Sequence, residues 1–176
     1  MSLDFSRNHF ELFGLTPAFA IDAGALDQAY RELQTEIHPD RFAHAGEADQ
    51  RLSVQWATRA NEAYQTLKSP FARACYLLSL QGIDAMAPGH AAMPLPFLER
   101  QMAWRETLAD TVANADYDAL QGLEADTRAE AEQSLAKVGE LLDERQDYAA
   151  AAEVLRQYRF LEKFLADIGD AYEEIE

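Results

Sequence analysis

The tripeptide His38-Pro39-Asp40 closes an amphipathic stretch and fixes where a helix must end. Before it, apolar residues recur at helical spacing, at Leu26, Tyr30, Leu33 and Ile37. Pro39 has no backbone N–H, and its ring disfavours the α conformation for His38, so we expect the helix over residues 21–37 to stop there. The sequence therefore places His38 and Asp40 in an exposed loop.

A second amphipathic run, over residues 52–67, follows this loop. Its predicted core face consists of Trp56 or Ala57, then Ala60, Ala63, Tyr64 and Leu67. Ahead of the first helix, the apolar segment 10–15 predicts a short additional turn. Two long helices joined by a loop of about ten residues pack antiparallel. The sequence thus predicts a helical hairpin with His38-Pro39-Asp40 at its tip.

This arrangement resembles the J-domain, the module by which co-chaperones stimulate ATP hydrolysis in chaperones of the heat-shock 70 kDa class. The resemblance covers residues 8–80 and rests on three segments: FELFGL at 10–15, the His38-Pro39-Asp40 loop followed by Arg41 and Phe42, and Asn61-Glu62-Ala63-Tyr64. The segment 73–82, RACYLLSLQG, is similar to the end of the J-domain in HscB-type proteins of iron–sulfur cluster assembly. Those proteins have two helical domains and nearly this length.

The resemblance implies a docking site for an HscA-type chaperone at the hairpin tip. It assigns that role to His38, Pro39, Asp40 and Arg41, with Arg31 on the preceding helix as a further basic candidate. Glu32 and Glu36 make this helix less basic than in many J-domains. We therefore expect weaker electrostatic attraction to the chaperone.

Charge is distributed unevenly along the chain. The net charge of −16 argues against nucleic-acid binding, which depends on clustered Lys and Arg. The first 80 residues hold 7 basic and 10 acidic side chains, and the remaining residues hold 8 and 21. This change coincides with a stretch rich in Pro and Gly, residues 82–96. We predict domains over residues 1–82 and 95–176, with a linker over 83–94.

Several functional classes lack their sequence signatures. No run approaches the roughly 20 apolar residues that span a bilayer, and the first ten residues do not resemble a secretory signal, so we expect no membrane association and a cytoplasmic protein. The single cysteine, Cys75, permits neither an internal disulfide nor a four-cysteine zinc site. No G-x-x-x-x-G-K phosphate loop is present. We therefore predict a protein without cofactors that is not an enzyme.

The second half predicts three helices, over residues 96–113, 117–144 and 147–172, and hence a three-helix bundle in an all-α protein. The core stripe of the first helix is Phe97, Gln101, Trp104, Leu108 and Val112. That of the second is Leu120, Leu123, Thr127, Ala131, Leu135, Val138 and Leu142. The core stripe of the third helix, for which Asp147 is the predicted N-cap, consists of Ala151, Leu155, Tyr158, Leu161, Leu165, Ile168 and Tyr172.

Some apolar residues fall outside these stripes. Phe160 points about 150° from the centre of its stripe and Phe164 about 100°, so we expect Phe160 to be exposed. On the first bundle helix, two apolar residues and then two acidic ones lie off the core stripe: Leu98, Met102, Glu106 and Asp110. In HscB-type proteins the corresponding surface binds the iron–sulfur scaffold protein IscU. The resemblance carries that role to Leu98, Met102, Glu106, Asp110 and Phe160.

The resemblance thus implies a non-catalytic co-chaperone that binds IscU, delivers it to HscA and stimulates the ATPase of that chaperone. Two alternatives stay open. One is a general J-domain protein for a DnaK-type chaperone, with an unrelated client on the bundle. The other is a metal or catalytic site at His38, Asp40 and His44, although the loop lacks further ligands such as Cys.

Overall fold

The computed structural model describes residues 6–42, 45–87 and 93–175. These residues form helices, turns and connecting segments, without a β-strand among them, which confirms the predicted all-α class. The chain divides into two compact units, Met1–Leu77 and Leu78–Glu176. Within the described ranges, no helix is both long and apolar enough to cross a membrane. The predicted linker includes residues 88–92, which lie outside these ranges.

Within its described residues, the first unit contains four helical segments and one tight turn. Its elements in chain order are α1 (His9–Leu12), α2 (Ala23–Ile37), a 3-10 turn (Pro39–Phe42), α3 (Glu47–Lys68) and most of α4 (Pro70–Leu80). The two long helices α2 and α3 pack against each other as the predicted hairpin. Helix α3 begins five residues before the apolar run that predicted it.

Side-chain caps fix where the first two helices begin. The side chain of Asn8 accepts a hydrogen bond from the Glu11 N–H, and the Glu11 carboxylate accepts one from the Asn8 N–H, both at 2.9 Å. This capping box satisfies two backbone donors that a helix start would otherwise leave unpaired. Asp22 caps the start of α2, because its Oδ1 accepts hydrogen bonds from the N–H groups of Gly24 at 2.8 Å and Ala25 at 3.1 Å.

The core of the first unit follows the predicted stripes. Of the two alternatives offered by the sequence, Trp56 enters the core, 1% exposed, whereas Ala57 is half-buried. The other buried apolar residues of this core are Phe10, Leu12, Phe13, Leu26, Leu33, Ile37, Ala60, Ala63 and Leu67. Tyr30 and Tyr64 stack at the edge with ring centroids 4.0 Å apart and are only half-buried. Their hydroxyl groups are hydrogen-bonded: that of Tyr30 donates to Asn61 Oδ1 and that of Tyr64 to Asp27 Oδ1.

His9 connects the start of the chain to α4. Its ring stacks on Tyr76 with centroids 4.1 Å apart, and its backbone N–H donates to the Tyr76 hydroxyl at 3.0 Å. Burial, and secondarily the charge of Arg59, lower the pKa of His9 below its ordinary value of 6.5, while Glu62 acts in the opposite direction. The fold therefore favours the neutral imidazole.

We expect His9 to make the first unit sensitive to mild acid. Because the folded-state pKa of His9 lies below the unfolded value of 6.5, its stabilisation is fully present above that pH and is lost as the pH falls through the folded-state pKa. Thermal unfolding of the wild type and of His9→Gln should differ more at about pH 7.5 than at about pH 5.5. A difference that stays constant or grows at the lower pH would contradict this assignment.

The second unit contains the predicted three-helix bundle. Its helices are α5 (Leu95–Ala113), α6 (Tyr117–Gly139, continued by a π-helical turn Glu140–Glu144) and α7 (Tyr148–Ile175). As predicted, Asp147 caps the last helix, since its Oδ1 accepts from the Ala150 N–H at 3.1 Å. The buried Thr127 donates its hydroxyl to the Leu123 carbonyl at 2.7 Å. This bond satisfies the polar member of the α6 core stripe.

The buried face of α7 differs from the predicted stripe. Phe164 is 1% exposed, and Phe160, predicted to be exposed, is half-buried against the same core. Three predicted core residues are instead only half-buried: Tyr158, Leu165 and Tyr172. The physical reason is that α7 packs against both α5 and α6, so its buried arc is wider than one stripe and is centred elsewhere.

Candidate functional site

The hairpin tip begins where α2 stops. His38 has extended backbone angles, φ −56° and ψ 129°, as expected for the residue before a proline. The chain then enters the turn Pro39–Phe42, in which the Arg41 N–H donates to the His38 carbonyl at 3.0 Å. The predicted end of the helix is confirmed, and the tip is a compact turn.

His38 and Asp40 are both exposed at this tip, with 58% and 91% of their side chains accessible. The Asp40 N–H donates to His38 Nδ1 at 3.3 Å, and the Asp40 carboxylate lies 3.6 Å from the same nitrogen. The first contact requires a neutral ring with its proton on Nε2, whereas the second requires a proton on Nδ1. In either state the Asp40 carboxylate remains accessible to a partner.

Two arginines lie beside the tip. Arg41 donates from Nη1 to the Thr35 carbonyl at 3.0 Å, which satisfies a carbonyl in the last turn of α2 and places a cation at the negative end of that helix. The structure brings the predicted Arg31, His38 and Arg41 together around one open hollow of about 520 Å³, which Gln34 and Thr35 complete. We call this the cationic hollow.

The acidic residues of α2 do not line the cationic hollow. Glu32 and Glu36 instead border a separate groove together with Leu12 and Phe13 at the start of the chain. A count of charges along the sequence does not distinguish these two faces of α2. Glu32 and Glu36 are therefore not part of the cationic hollow, and weaker electrostatic attraction to a chaperone stays a prediction.

The outer face of α5 displays the predicted apolar pair. Leu98 is 38% exposed and Met102 is 72% exposed, and Glu106 and Asp110 are also exposed. Leu95, which is 67% exposed, also lies on this face but is absent from the predicted set. At 100° per residue, Leu95, Leu98 and Met102 lie within about 60° of one another. We call these three residues the apolar stripe; their spacing of three and four residues was the available signal.

Phe160 does not belong to this exposed face. Its ring stacks on Trp104 and on Phe164, with centroids 6.2 Å and 5.9 Å away, and meets Phe97 edge-on at 5.8 Å. The guanidinium of Arg105 lies 5.7 Å from the centre of the Phe160 ring. The prediction that Phe160 is exposed is therefore wrong. We call Phe97, Trp104, Phe160 and Phe164 the aromatic cluster.

The described residues do not support the alternative of a metal site. Among them, no group of three or more His, Cys, Asp or Glu side chains is placed to hold a metal ion. His44, one member of the proposed ligand set, lies outside the described residues. Cys75 is half-buried on α4 and forms no disulfide.

Comparisons with known proteins agree across both units. A family profile described as the HSCB C-terminal oligomerisation domain matches residues 93–169. A co-chaperone HscB homolog of Burkholderia multivorans is 50% identical over 169 residues, covering 96% of both chains, and one of Burkholderia vietnamiensis is 49% identical with the same coverage. The chain belongs to the HscB family of co-chaperones.

Solved HscB structures share the fold. Chaperone HscB from Vibrio cholerae is 37% identical, with a TM-score of 0.82, over 97% of this chain and 100% of that one. Human co-chaperone HscB is 28% identical, with a TM-score of 0.86, over 95% of this chain and 83% of that one. The chain thus has the all-helical fold of HscB proteins, with an N-terminal J-domain followed by a C-terminal helical bundle.

We predict that Phe160 and Met102 respond differently to truncation in this HscB protein. Phe160→Ala removes the ring that stacks on Trp104 of α5 and on Phe164 of α7. Because Phe160 is only half-buried, we expect the free energy of unfolding to fall by about 1–3 kcal/mol, less than for a fully buried Phe. Met102→Ala removes only exposed surface and should stay within about 0.5 kcal/mol of the wild type. Urea unfolding monitored by circular dichroism measures both values. Equal losses for the two variants would contradict the assignment of Phe160 to the aromatic cluster.

Proposed function

We propose that this HscB protein binds the iron–sulfur scaffold IscU with its C-terminal bundle, delivers IscU to an HscA-type chaperone, and stimulates the ATPase of that chaperone with its J-domain. The observation that carries the proposal is the exposed pair His38 and Asp40 beside the cationic hollow. We assign residues 1–82 to the J-domain, 83–94 to a linker and 95–176 to the scaffold-binding bundle, and we expect all three proteins to meet in the cytoplasm.

The chaperone-binding role fits the chemistry of the hairpin tip. Arg31 and Arg41 supply cations that can pair with carboxylates of a partner, and Asp40 supplies an anion that can pair with a guanidinium. The turn Pro39–Phe42 holds these groups close together without using His38 or Asp40 in the core. These exposed side chains can therefore contact a partner with little effect on the stability of the fold.

The scaffold-binding role fits the outer face of α5. The apolar stripe is exposed and would form the apolar centre of an interface. At 100° per residue, Arg105 lies on one side of it and Glu106 and Asp110 lie on the other, so charged groups surround an apolar centre as in a typical protein interface. Phe160 stands behind Arg105 in the aromatic cluster. We therefore propose that Phe160 supports the interface from behind, and that Leu95, Leu98 and Met102 supply most of the contact area.

Covalent connection of the two binding sites explains how a protein without a nucleotide site of its own can act on an ATPase. A scaffold held by the bundle experiences a high effective concentration at the chaperone, so each interface can be weak by itself. The chemistry then resides in the chaperone, and the co-chaperone needs neither a catalytic residue nor a cofactor.

Replacement of Asp40 tests the chaperone-binding site. Asp40→Asn preserves shape but removes the exposed charge, so we expect abolished stimulation of the HscA ATPase with a melting temperature close to that of the wild type. Asp126→Asn, an exposed aspartate on α6, provides a matched control and should stimulate normally. Steady-state ATPase assays with increasing co-chaperone measure the effect. Full stimulation of the ATPase by Asp40→Asn would contradict the assignment of the hairpin tip as the chaperone-binding site.

Truncation of the apolar stripe tests scaffold binding. Burial of an apolar side chain is worth up to roughly 1.5–3 kcal/mol, so Leu98→Ala combined with Met102→Ala should weaken IscU binding by about a hundredfold, without loss of basal ATPase stimulation. The exposed pair Leu52 and Val54 on α3, truncated in the same way, provides the control. Titration calorimetry with IscU gives the affinities.

Two outcomes would count against this assignment. If the stripe variant is stable and binds IscU as tightly as the wild type, the scaffold site lies elsewhere. If the wild type does not bind IscU and yet stimulates a general DnaK-type chaperone, the bundle has a different client and the general J-domain function is correct.

A further inference from the structure

Met102 is the most exposed large apolar residue in the described part of the chain, at 72%. It lies in the middle of α5, so the helix holds its backbone in place while the thioether projects into solvent. Methionine is a flexible, polarisable anchor at binding surfaces, and its sulfur is also a target for oxidation. One side chain thus combines an interface position with redox chemistry.

The other sulfur-containing residues in the described part of the chain are less exposed. Met86 is 38% exposed in the turn after α4, Met93 is half-buried, and Cys75 is a half-buried residue of α4. Oxidation of methionine by a peroxide requires approach of the oxidant to the sulfur, so its rate follows exposure. Among the described residues, Met102 should therefore react first.

We propose that Met102 is a redox-modification site through which hydrogen peroxide lowers the affinity of this HscB protein for its scaffold. The thioether sulfur attacks one peroxide oxygen, the O–O bond breaks, and that oxygen is transferred to sulfur; the other oxygen leaves as water with both protons. Sulfur loses two electrons and the peroxide gains them. This inference rests on the proposed binding of the scaffold at the apolar stripe.

The sulfoxide changes the apolar stripe at its most exposed member. A strongly polar S–O group replaces an apolar thioether, and burying that group against a partner costs free energy unless a hydrogen bond compensates it. Leu95 and Leu98 offer no such bond. A methionine sulfoxide reductase reverses the change with two electrons from a dithiol, giving the thioether, a disulfide and water.

The experiment compares the full-length wild type with Met102→Leu, which keeps apolar volume but cannot be oxidised. Both proteins are treated with hydrogen peroxide, the peroxide is destroyed with catalase, and IscU is then titrated in a calorimeter. Peptide mass spectrometry measures oxidation at Met86, Met93 and Met102. We expect fastest oxidation at Met102 and a loss of affinity of about tenfold or more in the wild type alone, restored by the reductase.

A second measurement follows the oxidation of Met102 when the protein is already bound to IscU. If the scaffold covers the apolar stripe, bound IscU should slow oxidation of Met102 while leaving that of Met86 unchanged. Oxidation of Met102 without loss of affinity, oxidation no faster than at Met86 and Met93, or an equal loss of affinity in Met102→Leu would each overturn the inference. If the untreated wild type fails to bind IscU, the proposed function fails and this inference fails with it.

Discussion

The contact between α5 and α7 through the aromatic cluster determines what the bundle presents to its surroundings. Trp104 from one helix stacks on Phe160 and Phe164 from the other, so the three rings hold the two helices at a fixed rotation. With Trp104 turned inward, Leu98 and Met102 must turn outward, because they lie on another side of the same helix. Arg100 reinforces this rotation by pairing with Glu130 of α6 at 2.8 Å.

At the hairpin tip, the residues that end helix α2 also form part of the candidate site. Pro39 ends α2 by chemistry that needs no partner, and Arg41 then returns to the freed carbonyl end of the helix through Thr35. One guanidinium thereby serves both as a cap and as a wall of the cationic hollow. The proposed chaperone-binding surface thus uses groups that the end of a helix already requires.

The two candidate sites share a physical property, namely that neither one uses core side chains. His38, Asp40, Leu98 and Met102 are all exposed, whereas the residues that position them are at least half-buried or hydrogen-bonded. Variants of these exposed residues can therefore test the proposed recognition with little change in stability. Phe160 is the exception: it is half-buried behind the candidate interface, so its replacement affects both the fold and the exposed face.

The sequence by itself determined the features that depend on neighbours along the chain. The stop at His38-Pro39, the cap at Asp147 and the three bundle helices all follow from local chemistry and helical spacing, and the structure contains each of them. Only the tertiary structure decided which face of α7 is buried, because that face depends on how many helices pack against it and from which directions. A single helical period assigns one buried arc to a helix. Helix α7 packs against both α6 and α5, and its contact with Trp104 of α5 helps to bury Phe164 fully and Phe160 by about half.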